Sequence, residues 1–486
     1  MSKKILDTDI LIVGAGPVGL FLANECARRG LKWRIVESKS AQSGHSKALA
    51  IFPRTLELFD MAGIVAPFLE LANRVTSVKV ITHNHTLAHM PFEPEESPYP
   101  FIAMVPQNVT ENILVGELIK KNGHIDYKTS FVSATQYDDH VNVILDNNGQ
   151  KESIDVTYVV GCDGAHSSVR HQLNLNFEGG EYHDLFMLAD IETNETLPAN
   201  ELQLCPHEAG PLAIFPMSVS RHRIVATVQE SQGEEPTLEL VQELLKQRAP
   251  AGVKANSLYW SSYFHIHHRQ VAQLRQGRIF LAGDAAHIHS PIGGQGMNTG
   301  LHDVWNLVWK LDSNLNGYGN NQLLDSYSAE RRPVIKHVVE ITDFLTRIMA
   351  TPNRLVQTVR NSVIPMVSRL TPFQHAFVQK MSELGVAYPG SPIVEGPGLR
   401  YLHDSLRGGK GIRSRYVLFL EDSLSAEMKE AAHQLGNDFS EIIELRVFHE
   451  KGLKLVRPDG YIAFTTDKAN NLSALKKVQS ILQQTL

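Results

Sequence analysis

The chain has 486 residues, with 46 Lys and Arg against 52 Asp and Glu, a net charge of −6, and 43% hydrophobic residues. That is ample for two to four globular domains and excludes wholesale disorder, while a mildly acidic balance without a Lys/Arg block excludes nucleic acid and anionic membrane surfaces as partners. Cys26, Cys162 and Cys205 are the only cysteines; far apart and without a C-x-x-C pair, they exclude a disulfide scaffold and point to a reducing, cytoplasmic compartment.

No apolar run is long enough to span a bilayer, and Asp7 and Asp9 interrupt the first apolar stretch, against a signal peptide. An apolar run at 9–13, a Gly-rich turn, a helical pattern at 17–29 and a second apolar run at 33–36 predict a βαβ unit. The turn reads Gly14-Ala15-Gly16-Pro17-Val18-Gly19, and Glu37 stands 21 residues after Gly16. In that register Gly14 serves a tight turn, Gly16 lets backbone approach a pyrophosphate, Gly19 permits close packing of helix on strand, and Glu37 accepts from an adenosine ribose.

Next come a predicted helix over 103–121 and strands at 124–129, 130–136, 141–145 and 156–160, the last leading into Gly161-Cys162-Asp163-Gly164. From about 177 to 269 short strands dominate, with one helix at 237–249, which predicts an antiparallel insertion. A strand through Ile279–Leu281 then delivers Asp284 at its carboxyl end. Gly293, Gly294 and Gly296 lead into a helix whose N–H groups at Gly296, Met297 and Asn298 face an anion. Helices fill 300–385, a Pro/Gly-rich stretch covers 388–398, and a compact α/β pattern closes the chain. The expected division is 1–176 and 271–390 for a dinucleotide-binding domain in two parts, 177–270 for an inserted antiparallel domain, and 391–486 for a separate C-terminal domain. His265, His267, His287 and His289 share strand spacing, but no carboxylate or thiolate completes a set, so no metal is expected.

Taken in order, these motifs resemble the single-component FAD-dependent aromatic hydroxylases, the group A flavoprotein monooxygenases. The resemblance rests on the N-terminal G-x-G-x-x-G, on Cys162-Asp163-Gly164-Ala165-His166-Ser167-Ser168-Val169-Arg170, and on the Gly283-Asp284 region. It extends through Arg54-Thr55-Leu56-Glu57, Asp303–Leu311 and Tyr327–Pro333. It implies an α/β fold: a Rossmann-like FAD-binding domain, an inserted antiparallel-sheet substrate domain, and a thioredoxin-like C-terminal domain. It also implies that Glu37 holds the adenosine ribose, Val132 touches the adenine region through its backbone, and Gln107 contacts the flavin side. Asp163 would serve both FAD and the nicotinamide donor, Asp284 the ribityl chain, and Pro291 the isoalloxazine. Gly296 and Met297 would lie near the pyrimidine edge of the flavin, with Gly294 and Asn298 also binding the cofactor. Lys47 stands where this family usually carries Arg, which keeps the charge and loses the planar fork.

The resemblance further implies non-covalent FAD, with NADPH or NADH as co-substrate that lacks a Rossmann domain of its own. O₂ would be activated as a flavin C4a-hydroperoxide, hydroxylating a phenolic or polycyclic aromatic ring. No general base is assigned; Leu212–Met217 and His289–Ile292 are the expected pocket walls. The alternatives are oxidative inactivation of an antibiotic or other polycyclic compound, and a redox-silent flavin-binding partner protein. The C-terminal domain has no cysteine, so it performs no thiol–disulfide exchange; packing or a homodimer contact is its expected role.

Overall fold

A computed structural model gives the fold. It describes residues 6–486 apart from 43, 45, 83–84, 95, 195–196, 232, 290–292, 351–361, 410–413 and 469–470, with backbone alone at 181–184, 266–267 and 344–350. Strand Thr8–Val13 lies between Trp33–Glu37 and Gln150–Gly161, and the last pairs with Ile279–Leu281, all of them parallel. Ile10, Leu11 and Ile12 see no solvent, as strands covered on both faces require. Helices Pro17–Arg28, Gln107–Lys120 and Gly296–Leu315 pack together against this sheet. The first half of Gln150–Gly161 pairs instead with Val141–Asn147, which pairs with Thr129–Gln136.

The helix predicted over 103–121 starts at Gln107, and Ile102–Met104 is a strand. Pro106 explains the difference: it pushes the residue before it out of helical conformation and itself stands as the N-cap.

The antiparallel sheet runs Ala255–Val271, Phe177–Thr193, Arg221–Val228, Leu212–Pro216, Glu201–Cys205, Ser77–Thr82 and His85–Pro91, with His287–Ile288 at its near edge. It therefore reaches beyond the expected 177–270. Glu201–Cys205 pairs in parallel with Ser77–Thr82, a pairing that no local pattern announces. Leu212 and Ile214 pack towards helix Leu238–Arg248. Phe215 and Met217, on the opposite face by the period-2 rule, meet a cluster with Phe52, Phe92 and Met104.

At the C-terminus, Tyr416–Glu421 is parallel to Ile443–Phe448 and antiparallel to Leu453–Val456, which pairs with Ile462–Thr466. Helices Ala426–Asp438 and Leu472–Thr485 complete this unit. Its apolar core takes in Trp309 and Leu323 from the preceding helices. Beneath it Arg457 donates to Glu330 at 2.6 and 2.9 Å and to Asp459, and Lys310 donates to Glu330 at 2.8 Å, all fully buried.

Candidate active site

The parallel strands end together, so the three motifs meet at one edge of the sheet: Gly14 follows Val13, Glu37 closes its strand, Asp163 follows Gly161, and Asp284 follows Leu281. The glycines of the first turn divide their work. Gly14 has φ +102°, and a Cβ there would lie 2.5 Å from the Cys162 carbonyl; a Cβ on Gly19 would lie 2.0 Å from the Gly14 carbonyl. Both are needed by the protein itself. A Cβ on Gly16 would meet nothing within 4 Å, so the space in front of it is open for a ligand, as a pyrophosphate resting on a helix N-terminus requires. Pro17 opens that helix at its first position, where its missing N–H costs nothing. Val18 packs against Gly283 and Gly300, fastening this turn to the Asp284 turn and to helix Gly296–Leu315.

Glu37 Oε2 accepts from Ala15 N at 2.9 Å, which holds the carboxylate beside the turn and leaves it lone pairs for hydroxyl donors. Val132 falls out of the ladder at the irregularity opposite Ile144 and Leu145, and is 43% exposed. A bulge with a free apolar side chain is a device for presenting backbone to a ligand. Asp163 accepts from Ser167 Oγ at 2.5 Å and Val169 N at 3.2 Å; burial pushes its pKa up, and these hydrogen bonds counter that.

Asp284 is reached by solvent yet is surrounded by protein, as a residue on the wall of a deep cleft is. Burial pushes its pKa up, and the charges of His287 and Lys47 pull it down. The segment around Lys47 is held from both sides. Gln107 Oε1 accepts from Ala48 N at 3.1 Å, and Arg223 on the antiparallel sheet donates to the carbonyls of Lys47 and Ala48 at 3.1 and 3.3 Å. Arg223 is in turn clamped by both oxygens of Asp190.

Helix Gly296–Leu315 begins after Gln295 with no side-chain cap and no acidic residue in its first turn, so its leading N–H groups face outward for an anion. The Asn298 side chain does not share that task. It donates to Ala50 O and Gly294 O and accepts from Phe52 N and Thr55 Oγ1 at 2.8–3.1 Å, pinning the 50–52 segment to the turn. Met297 is buried beside it. Pro291 lies outside the described residues.

The supporting residues were not singled out as site residues by the motifs. Arg170 donates to Ala285 O and Ala165 O at 3.0 and 2.8 Å, tying the Asp163 turn to the Asp284 turn. Asp303 accepts from Gly283 N at 3.1 Å, from His287 at 2.7 Å and from Arg331 at 2.8 Å. Burial opposes its charge, but His287 and Arg331 outweigh it and hold the carboxyl below its usual range. His287 is thus spent on Asp303. Their presence inside motif segments was the only available signal.

An open glycine turn at a helix N-terminus, a carboxylate beside it, and Asp163, Asp284 and an uncapped helix start, all at the carboxyl ends of one parallel sheet, form the arrangement that a dinucleotide cofactor requires. The FAD binding domain family model matches residues 7–342, and the chain belongs to this family. The chain is 28% identical to a 6-methylpretetramide 4-monooxygenase of Streptomyces rimosus over 97% of its length and 93% of the relative's. It is 30% identical to an uncharacterized aromatic compound monooxygenase of Bacillus subtilis, covering 94% of each. The solved structure of an anhydrotetracycline hydroxylase of Streptomyces rimosus superposes with a TM-score of 0.80 at 26% identity, over 98% of this chain and 99% of the other. The protein is an FAD-dependent aromatic monooxygenase that consumes NAD(P)H and O₂, and the redox-silent alternative gives way. Among the described residues no helix is long and apolar enough to cross a membrane.

Proposed function

We infer that the substrate is a polycyclic phenol, held between the antiparallel sheet and the flavin edge of the cradle. The observation that carries this reading is the apolar cluster at that junction. Phe215 and Met217 from the sheet, Phe52 from the cradle side, and Phe377, Val378 and Met381 from helix Thr371–Met381 converge there, half-buried or buried. A wide apolar wall with few polar groups suits a fused-ring ligand, and Phe52 adjoins the Asn298 clamp.

Bound FAD would carry two electrons from NAD(P)H to O₂ and so provide the activated oxygen. The chain supplies the rest. Gly14–Gly19 and Glu37 hold the nucleotide half, Asp284 takes the ribityl chain with the Lys47 charge favouring its ionised form, and the Gly296–Asn298 N–H groups stabilise negative charge as it develops. The apolar wall excludes water from the reacting edge. All three thiols are buried and unbonded, in keeping with a reducing compartment.

The test is NADPH consumption with a panel of monocyclic and fused-ring phenols, with product mass measured. Fused-ring phenols should stimulate consumption and gain one oxygen atom, and Phe215→Ala should raise their KM about tenfold, the loss of roughly 1.4 kcal/mol of apolar contact. Stimulation by monocyclic phenols alone would overturn the polycyclic reading. Inactivation of an antibiotic is the same chemistry on the same wall, and growth protection by the expressed enzyme separates the two roles.

A further inference from the structure

Helix Thr371–Met381 ends at Ser382, and the next residue, Glu383, has φ +60°. A glycine would adopt that conformation freely, whereas a side chain there costs about 1 kcal/mol, so the position holds a carboxylate against its backbone preference. Glu383 is 5% exposed, and neither carboxyl oxygen has a hydrogen bond among the described residues. His302 Nε2 lies 3.4 Å from its Oε2. A buried, strained and unsatisfied carboxylate calls for an explanation.

Donor accounting shows what it faces. Asn298 Nδ2 gives its protons to Ala50 O and Gly294 O, so Asn298 Oδ1 is the acceptor of the 2.8 Å bond to Thr55 Oγ1. Thr55 spends its one proton there. It must then accept from His302 Nε2 at 3.0 Å, so the Nε2 proton points to Thr55, while Glu383 Oε2 lies 3.4 Å from the same nitrogen without a hydrogen bond to it. Arg54 on the Thr55 helix, Asp303 on the His302 helix and Arg331 on the next helix complete the charged surroundings. The helix that precedes Glu383 packs against the apolar cluster through Phe377, Val378 and Met381. Arg54 N donates to Ser382 O at 3.1 Å, locking the end of that helix to the cradle.

We propose that Glu383 is a positioning residue for the flavin: its protonation state sets, through His302 and Thr55, how firmly Asn298 holds the Gly296–Asn298 turn against the charge of the reduced ring. A neutral carboxyl leaves the His302 proton to Thr55, and the clamp is tight. An ionised carboxylate draws that proton away, and the clamp loosens. Burial already pushes Glu383 up to about 8 and His302 well below its ordinary value, so the switch works near neutral pH. Asn298 cannot relay a proton, so the link is positional. When two electrons and one proton reach the flavin, the added negative charge favours the neutral carboxyl, and Glu383 takes a second proton from solvent.

The inference rests on the flavin ring lying at this turn. The experiment measures the two-electron midpoint potential against pH for FAD-loaded wild type, Glu383→Gln and Gly296→Pro. Wild type should take up more than one proton per two electrons around the titration of Glu383, and Glu383→Gln one throughout. An identical pH profile in folded, FAD-loaded Glu383→Gln overturns the role of Glu383. In wild type itself, reduction-minus-oxidation infrared difference spectra taken at or above the titration of Glu383 at about 8 should show a gain of protonated carboxyl carbonyl stretch; its absence there overturns the proposal without any variant. Gly296→Pro should shift the potential at every pH, and an unshifted value would instead place the flavin elsewhere.

Discussion

Gly16 and Gly14 separate what the ligand needs from what the chain needs. A valine at 16 enters open space, so Gly16→Val should fold with unchanged thermal stability and purify without flavin colour. Alanine at 14 meets the Cys162 carbonyl and keeps a positive φ, so Gly14→Ala should lose stability, by about 2 kcal/mol or more. Flavin content beside urea midpoints checks both, and a yellow Gly16→Val protein would refute the turn assignment. Glu383 adds a pH signature. Its folded pKa is raised, so the favourable contribution of the neutral carboxyl is complete below its ordinary value and is lost as pH rises through about 8. Glu383→Gln should therefore match or trail wild type in acid and exceed it increasingly up to about pH 8, by at most about 5 kcal/mol. Stability that rises over that range in wild type, with no growing gap to the variant, would contradict the assignment.

At the scale of elements, the helix Gly296–Leu315 aims its N-terminus at the expected flavin edge. Proline suits a first helical position, and a Cβ at Gly296 makes only ordinary contact with His289; Gly296→Pro removes one donor and also pushes Gln295, at φ −89° and ψ −11°, out of its helical conformation, so its thermal unfolding is measured beside its potential. The variant should keep FAD with a lower potential and slower reduction by NADPH, read by dye equilibration and stopped flow. The C-terminal unit is bound to the rest by charge as well as by core. Without Arg457, the buried Glu330 keeps only Lys310 and neutral donors, and breaking such a pair costs about 3–5 kcal/mol. Arg457→Met should show that loss in urea unfolding. Truncation before residue 399, which strips Trp309 and Leu323 of their neighbours as well, should leave no folded protein. A stable, yellow truncated protein would show the C-terminal unit to be dispensable.

Across the whole molecule, short-range pattern decided the βαβ start, the strand-to-Asp284 turn, the helices after 300 and the strands and helices of the C-terminal unit. Each of these depends on periodicity and punctuation within a window of about 10–20 residues, and the cofactor class follows from the same local motifs. Local signals also held the correct helix start at Gln107, since Pro106 was visible. What the tertiary structure alone decided are the long-range partners. Ser77–Thr82 joins a sheet built mainly after residue 177, Arg170 reaches Ala285 across 115 positions, Arg457 reaches Glu330 across 127, and Arg223 reaches Lys47 across 176. A buried ion pair or a strained Glu383 leaves no trace in periodicity, because its partners are chosen by the packing of finished elements. The sequence therefore determined the kind of cofactor and the turns that receive it. Packing alone decided which side chains hold those turns in place, because that choice is made between elements and not within them.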